Sequence, residues 1–241
     1  MCQTLSERKL IAMTNDLDRW KQAAAESAVA QVDHGMIVGL GSGSTAAFAV
    51  GALGRRVREG LRVTCIPTSE HTAAQVRALE IPLSTLAEHP QIDVTIDGAD
   101  EVEAGSLNLI KGRGGALLRE KIVASVSKRL VIVVDQTKMV ERLGARESLP
   151  VEVIPFGWQV AALRLRDLGA NPLLRKETGG EPFKSDGGHY ILDCAFGPIA
   201  SAESLAQELD HVVGVVEHGL FIGMTSEVHV GGPGGVRVVA A

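Results

Sequence analysis

Short apolar runs alternate with amphipathic stretches along the first half of the chain. The apolar runs predict strands at 36–40, 62–67, 82–86, 92–96 and 130–134. Apolar residues at three- and four-residue spacing predict helices from Asp16, after Thr45, and at 70–79 and 116–127. Because strands that alternate with helices form parallel sheets covered on both faces, we expect an α/β, Rossmann-like fold.

The pattern changes near Leu149. From there it predicts, in order, a strand at 151–155, a helix at 158–168, strands at 173–176 and 189–194, a helix at 201–209 and a strand at 212–220. This is the split βαβ order of ferredoxin-like α+β folds. The last residues predict a hairpin of strands 226–231 and 235–239 that returns to the first sheet.

These patterns divide the chain into three predicted parts. We predict a loose N-terminal extension at 1–14, a Rossmann-like catalytic domain at 15–148 plus 221–241, and a smaller ferredoxin-like α+β domain at 149–220. The small domain is therefore inserted before the C-terminal strands.

Composition limits the partners of this fold. The chain has a formal net charge of -5 with both signs interspersed, and only 3% of its residues are aromatic, so we expect no nucleic acid partner and no membrane partner. Cys2, Cys65 and Cys194 are far apart, which indicates a reducing compartment without disulfides. No signal peptide or membrane-length apolar run is recognisable, so we expect a cytoplasmic protein.

A glycine- and hydroxyl-rich loop joins the first predicted strand to the next helix. It runs Gly41-Ser42-Gly43-Ser44-Thr45, and amides at such a helix start favour an anion. The dinucleotide fingerprint would need glycine at Ser44, and the Walker loop would need a Gly-Lys pair, so neither nucleotide interpretation fits. The loop is predicted to hold a phosphate group, with a plain strand-ending turn as the alternative.

Four charged residues cluster in the sequence between 97 and 120. Asp97 and Asp100 follow a predicted strand, Lys111 precedes a glycine-rich loop, and Glu120 lies in the next predicted helix. Taken singly, these residues are equally typical of a turn, a surface lysine and a solvated helix residue. Together they offer a base, a proton shuttle and a cation, which suits proton abstraction beside a carbonyl in a phosphorylated substrate.

Other reaction classes lack their motifs. The histidines, cysteines and carboxylates show no metal-ligand spacing, so we expect no metal. The chain has no Gly-x-Ser-x-Gly elbow for acyl transfer. Enolisation is the class that remains.

Five ordered motifs resemble the type A ribose-5-phosphate isomerase family. They are GLGSGSTA from Gly39, DGADE from Asp97, KGRGGALLREKIVA from Lys111, VDQTK ending at Lys138 and PVEVIP from Pro150. The resemblance covers the chain from about Asp16 to the C-terminus. It implies interconversion of ribose 5-phosphate and ribulose 5-phosphate through an enediolate, in the pentose phosphate pathway and without a metal or an organic cofactor.

The resemblance also implies roles for residues. Glu120 matches the base, Asp97 and Asp100 match the carboxylates that help to open the sugar ring, and Lys111 matches the cation that steadies the substrate oxygens. The implied substrate-binding residues are Ser42, Gly43, Ser44, Thr45, Gly98, Ala99, Gly112, Arg113, Gly114, Lys138 and Lys21.

Some expectations stay open at this point. Arg113 stands where the family commonly has glycine, so its role is undecided. The family suggests a homodimer or homotetramer. A sugar-phosphate sensor and an amino-sugar phosphate isomerase-deaminase remain alternatives; the sensor would need an upstream helix-turn-helix, and the deaminase a catalytic histidine.

Overall fold

The computed structural model describes the backbone of residues 5–241 and the side chains of residues 16–241. Its α-helices within this range are α1 (Leu5–Val29), α2 (Ser44–Arg58), α3 (Glu70–Ala78), α4 (Leu117–Ser125), α5 (Trp158–Asp167) and α6 (Ala202–Asp210). The predicted extension at 1–14 falls on positions whose side chains lie outside this range, and α1 begins before the predicted start at Asp16. No helix in the described range is long and apolar enough to cross a membrane.

The strands fall into three sheets. In chain order they are β1 (Ile37–Leu40), β2 (Thr64–Pro67), β3 (Val94–Asp97), β4 (Glu101–Glu103), β5 (Leu109–Ile110), β6 (Leu130–Asp135), β7 (Met139–Val140), β8 (Leu149–Val153), β9 (Asn171–Leu174), β10 (Tyr190–Ala195), β11 (Val215–His218), β12 (Leu220–Phe221), β13 (Glu227–Gly232) and β14 (Gly235–Ala240).

The largest sheet has six strands in the order β14-β13-β6-β3-β1-β2. All neighbouring pairs are parallel except β13 and β14, the predicted C-terminal hairpin, so the expected return of that hairpin is confirmed. Val131 and Val133 pack in the core that contains α1 and α2, while Ile132 and Val134 pack in the core on the other side. Both faces are therefore buried, as the parallel arrangement predicts.

A second sheet is antiparallel, in the order β11-β8-β10-β9. With α5 and α6 it reproduces the predicted order of strands and helices, and its side chains share one apolar core. Ile110 and Leu143 of the preceding region also enter this core. The division at 149–220 stays a prediction, supported by the separate sheet.

Two predicted strands are wrong. The segment 82–86 makes only an isolated bridge between Cys65 and Leu83, because the chain turns away where Glu88 N–H bonds back to Thr85. The predicted strand 212–220 is two strands in different sheets, β11 and β12. They are separated at Gly219, where a Cβ would collide with the carbonyl oxygen of Lys111.

The third sheet, β12-β5-β4-β7, was not predicted. Its strands have only two or three residues, too short for a periodic pattern to reveal. The sheet nevertheless determines where the central charged residues lie, because Lys111 follows β5 directly and Glu101 begins β4.

Candidate active site

A cavity of about 280 Å³ opens where the carboxyl ends of β1 and β3 meet. It is lined by Ser42, Gly43, Ser44, Thr45, Gly98, Ala99, Asp100, Lys111, Gly112, Arg113, Gly114, Glu120 and Lys138. Open parallel sheets bind ligands at this edge. Every lining residue was predicted for the site; of the predicted set, only Asp97 and Lys21 do not line the cavity.

One end of the cavity is the N-terminus of α2. Gly43 is its N-cap, no side chain caps the first turn, and that turn contains no acidic residue. Its backbone N–H groups and the positive end of the helix dipole therefore face the cavity region, where they suit an anion. The Ser42 hydroxyl is engaged differently, since it bonds to Ser69 Oγ at 2.7 Å and Thr68 Oγ1 at 2.9 Å and thus joins the loop to the start of α3.

The two predicted phosphate lysines have different surroundings. Lys138 lines the cavity, with its Nζ 3.6 Å from Glu147 Oε1, and the Arg113 guanidinium lies 3.1 Å from the same oxygen. Lys21 instead places its ammonium 3.5 Å from Asp18 on its own helix. A role for Lys21 in phosphate binding stays a prediction.

Asp97 ends β3 and is 1% exposed. Its Oδ1 accepts the Gly98 N–H at 2.7 Å, and Gly41 leaves the space that the carboxylate occupies, because a Cβ there would collide with it. Burial raises the pKa of Asp97, while the nearby Lys111 ammonium acts in the opposite direction. The end of β3 thus places a carboxylate beside Lys111 without lining the cavity.

Lys111 is at the centre of the charged cluster. Its Nζ lies 3.0 Å from Asp97 Oδ2 and 3.2 Å from Glu120 Oε2, and it donates to the Gly98 carbonyl at 2.6 Å. Burial alone would lower the pKa of Lys111, but the two carboxylates outweigh it and raise the pKa above its ordinary value. The ammonium is therefore permanently charged at neutral pH.

Glu120 lies in the first turn of α4 and lines the cavity although it is 4% exposed. Its Oε2 is close to Lys111 but has no hydrogen-bond partner among the described side chains and backbone. Burial raises the pKa of Glu120 to about 8, and repulsion from Asp97 adds to this while Lys111 opposes it. A carboxyl group with such a pKa can both accept and return a proton near neutral pH.

Asp100 forms part of the cavity wall. Its Oδ2 accepts the Arg113 N–H at 2.9 Å, and its own N–H bonds to the Ile110 carbonyl at 2.8 Å. Asp100 therefore faces the glycine-rich loop across the cavity mouth, where it can exchange protons with a bound hydroxyl group.

Sequence reasoning missed the role of Glu101, the neighbour of Asp100. Glu101 is 1% exposed, and its carboxylate accepts the N–H groups of Gly144, Arg146 and Glu147 at 2.6, 2.7 and 2.9 Å. It thereby fixes the loop that carries Glu147 beside Lys138. Its place in the DGADE motif was the available signal, but a glutamate in a short strand does not by itself indicate burial.

One group of potential metal ligands occurs in the described side chains, formed by Asp210, Glu217 and His218. None of the three lines the cavity. The Lys121 ammonium already lies 2.6 Å from Glu217 Oε1, and burial lowers the pKa of His218 to about 4, so that this ring is neutral. The cluster is thus a charge network around Lys121.

The chemistry available in the cavity follows from these positions. A carboxyl group with an unpartnered oxygen lies beside a buried ammonium, and a helix N-terminus lies at the other end. This arrangement can bind a phosphorylated molecule, remove a proton next to its carbonyl and stabilise the resulting oxyanion.

Comparisons with known proteins show which family the chain resembles. Residues 64–235 match the family model described as ribose 5-phosphate isomerase A (phosphoriboisomerase A). Ribose-5-phosphate isomerase A of Gloeobacter violaceus is 60% identical over 224 residues, which are 93% of this chain and 97% of the relative.

Solved structures are also similar. Ribose 5-phosphate isomerase A of Methanocaldococcus jannaschii has a TM-score of 0.89 and 39% identity. A D-ribose-5-phosphate isomerase in complex with phospho-erythronic acid has a TM-score of 0.91 and 33% identity. Each comparison covers 93% of this chain and 99% of the other.

Proposed function

The chain belongs to the ribose 5-phosphate isomerase A family, and we propose on this basis that the cavity beside Lys111 is where its reaction takes place. The protein is an aldose–ketose isomerase that interconverts D-ribose 5-phosphate and D-ribulose 5-phosphate in the non-oxidative pentose phosphate pathway, and this reaction needs no metal. The observation that carries the proposed site is the buried Lys111 ammonium between the carboxylates of Asp97 and Glu120, of which Glu120 also lines the cavity.

We propose that the phosphate group binds at the N-terminus of α2. The uncapped amides of the first turn and the hydroxyls of Ser44 and Thr45 provide donors there, and Lys138 provides a positive charge. We propose that Lys21, which does not line the cavity, adds to the positive charge near the phosphate group.

We propose that Asp100 accepts and donates the protons of the substrate hydroxyl groups. Ring opening of the sugar requires a proton to leave one hydroxyl oxygen and reach the ring oxygen, and Asp100 is the aspartate that lines the cavity. Asp97 lies behind Lys111, so its contribution passes through that ammonium, which it holds at 3.0 Å.

We propose that Glu120 transfers the carbon-bound proton. In the aldose-to-ketose direction its carboxylate takes the proton from C2, the C2–H electrons form the C1=C2 bond, and the π electrons of the C1=O1 bond move to O1, which gives an enediolate with negative charge on O1. Glu120 then returns the proton to C1 while a proton leaves O2 for O1. The Lys111 ammonium and the N–H groups of Gly112 and Gly114 stabilise the charged oxygens.

The test uses the purified full chain with ribose 5-phosphate deuterated at C2, in the presence of a chelator. We expect conversion to ribulose 5-phosphate with part of the deuterium lost to solvent, because an enediolate route passes the label through an exchangeable carboxyl group. Full retention of the label would contradict the proposed route. A folded protein that binds the sugar phosphate without converting it would instead be a sensor.

Two glutamine variants assign the base. We expect Glu120→Gln to lose at least about 100-fold in kcat, because the amide cannot accept the proton. Glu208→Gln, the same change at an exposed position of α6, is the matched control and should keep the parental kcat. Equal activity of the two variants would remove Glu120 from the mechanism.

Phospho-erythronic acid provides a second probe of the cavity. A relative has been solved in complex with this compound. Its carboxylate resembles the charged C1–C2 portion of the enediolate, so we propose that it binds this cavity and inhibits the reaction competitively. Glu120→Gln should keep this binding, because the variant retains the Lys111 charge.

We also propose that the protein works in the cytoplasm as a homodimer or homotetramer. Exposed apolar side chains on the second sheet region support self-association, among them Phe156, Val160 and Val213. Light scattering at micromolar concentration tests this, and a monomer at that concentration would refute it.

A further inference from the structure

Arg175 connects the second sheet region to the loop at the active site. It follows β9, and its side chain is only 14% exposed. Its Nε donates to Asp193 Oδ2 on β10 at 3.0 Å, and its Nη2 donates to Asp193 Oδ1, which makes a two-point pair. Its remaining terminal nitrogen, Nη1, donates to the carbonyl oxygens of Gly112 and Arg113, each at 3.0 Å.

These carbonyls belong to the peptides that carry the N–H groups of Arg113 and Gly114. In a trans peptide the C=O and N–H bonds point in opposite directions. The Gly112 carbonyl points to Arg175, and the N–H of the same peptide, on Arg113, accordingly points away and donates to Asp100 in the cavity wall. The Arg113 carbonyl likewise points to Arg175, so the Gly114 N–H is turned towards the cavity side.

The Gly114 N–H remains available to a ligand. It is not taken up by another hydrogen bond within the described residues, and Gly114 lines the cavity. A rotation of the Arg113–Gly114 peptide by half a turn would present a carbonyl oxygen to the substrate instead of a donor, and a rotation of the Gly112–Arg113 peptide would remove the N–H that Asp100 accepts. Because an oxyanion is destabilised by a carbonyl dipole, the orientation of the Arg113–Gly114 peptide determines whether the loop helps or hinders the reaction.

We propose that Arg175, held by Asp193, is a positioning residue that orients the loop at 112–114 for the developing enediolate charge. This inference rests on the proposed function of the cavity. The second sheet region thereby contributes to the chemistry as well as to the fold. Arg175 does not line the cavity, so its effect on the reaction passes through the two peptides.

The guanidinium is suited to this task in a way that lysine is not. It uses two edges at once, one for the Asp193 carboxylate and the other for both carbonyls. A lysine ammonium is a point charge that cannot pair with a carboxylate at two points and also span two carbonyl oxygens. The Phe183 ring, whose centroid is 5.7 Å from the Arg175 Cζ, further restricts the planar group.

The test compares Arg175→Lys and the double variant Arg175→Ala/Asp193→Ala with Arg164→Ala. The double variant leaves no unpaired carboxylate, so it remains informative if a single alanine variant does not fold. Arg164 forms an exposed pair with Asp167 on α5 and is the matched control. For each protein we would measure kcat and KM for ribose 5-phosphate, the inhibition constant of phospho-erythronic acid and the melting temperature.

We expect Arg175→Lys and the double variant to lose about 10- to 100-fold in kcat, with KM within about threefold of the parent, because misplaced donors cost most when charge develops. The inhibition constant should rise by at least about tenfold, since the inhibitor is already charged. Arg164→Ala should match the parent in all four measurements.

Two results would overturn the inference. One is a folded Arg175→Lys variant with parental kcat and parental inhibitor affinity. The other is a loss that appears only in KM or that follows the melting temperature, because a purely structural role predicts this pattern. An inactive parent would contradict the proposed function instead, so the two failures are distinguishable.

Discussion

Glu120 and Glu101 are two buried glutamates with opposite surroundings. Glu101 is 1% exposed, and its oxygens accept three backbone N–H groups. Glu120 is 4% exposed, yet its Oε2 has no hydrogen-bond partner and its pKa is raised to about 8. Similar burial therefore goes with a full set of backbone hydrogen bonds in one place and with a raised pKa in the other.

The difference between these surroundings indicates which buried carboxylate is suited to proton transfer. Glu152 also has an unpartnered buried oxygen, but its other oxygen is bonded to Ser185 and His189 and it does not line the cavity. Glu120 combines the unpartnered oxygen with access to the cavity and a neighbouring ammonium. It is this combination, rather than burial, that indicates proton transfer.

The largest expected effect comes from removing the cation beside Glu120. Lys111→Met should reduce kcat/KM by about 10³-fold, because the enediolate loses its nearest positive charge. Lys121→Met is the matched control: both ammonium groups lie over the Phe221 ring, at 5.4 and 5.1 Å from its centroid, but Lys121 does not line the cavity. Steady-state kinetics on both variants check this. A comparable loss in Lys121→Met would show that disturbed packing around Phe221 explains the effect.

Glutamine at the two glutamates should give opposite phenotypes. Glu101→Gln places an amide NH₂ among backbone donors and should lower the free energy of unfolding by about 2 kcal/mol, with kcat changed little. Glu120→Gln should lose at least about 100-fold in kcat without lowering that free energy at pH 7, because a neutral amide replaces a carboxyl group that is already mostly protonated. Urea unfolding and initial rates measure the two effects.

Two results would contradict the proposed contrast between Glu101 and Glu120. A Glu101→Gln variant with parental stability would mean that its three N–H contacts contribute little to the loop. A Glu120→Gln variant that unfolds far more easily than the parent would mean that the carboxyl group is mainly structural.

Activity should depend on pH through the same carboxyl group. With a pKa of about 8, Glu120 is mostly protonated at pH 7, so kcat/KM should rise about tenfold between pH 7 and pH 9. The apparent value belongs to the whole cluster of Asp97, Lys111 and Glu120. A pH–rate profile that is flat above pH 6 would contradict the raised pKa.

The stability that Glu120 contributes should fall as pH rises, whereas the activity should rise. The folded pKa of Glu120 exceeds its ordinary value of 4.5, so between about pH 4.5 and 8 the unfolded chain loses this proton while the folded protein keeps it. The contribution of Glu120 to stability therefore falls as pH rises through this window. Glu120→Gln should remove that contribution, so its unfolding free energy relative to the parent should increase from pH 5.5 to pH 8.5. A constant difference would contradict the shift.

The smallest effect is expected at the cavity mouth. Arg113 pairs with Glu147 while its side chain is 68% exposed. Exposed pairs of this kind contribute little, so Arg113→Gly should change KM by less than about threefold and leave stability almost unchanged. A tenfold rise in KM would instead assign Arg113 a direct phosphate contact.

Most of the candidate site could be predicted because its residues follow strands in the sequence. The loop from Gly41 to Thr45 follows β1, and Asp97 ends β3, so one rule about parallel sheets placed them at a common edge. Lys21 shows the limit of this reasoning, since a helix residue has no such rule to place its side chain. The strand expected at 82–86 shows another limit, because an apolar run that pairs at one position looks like a strand in sequence.

The roles of Glu101 and Arg175 could not be predicted. Glu101 bonds to amides more than forty positions away, and Arg175 to carbonyls more than sixty positions away. Almost every residue carries the same backbone N–H and C=O groups, so the sequence does not indicate which of them a side chain will contact. The short sheet that joins β4, β5, β7 and β12 is hidden for a related reason, because each strand is too short to show a period.

The sequence by itself determined the α/β class, the order of both sheet regions and the residue types at the cavity, since these depend on local periodicity and on residues that follow strands. Tertiary structure alone decided which buried glutamate is saturated with hydrogen bonds and which lines the cavity with a raised pKa. It also decided that the small sheet region reaches the loop through Arg175. The physical reason is that pKa values and peptide orientations depend on neighbours brought together by folding, which are distant in the chain.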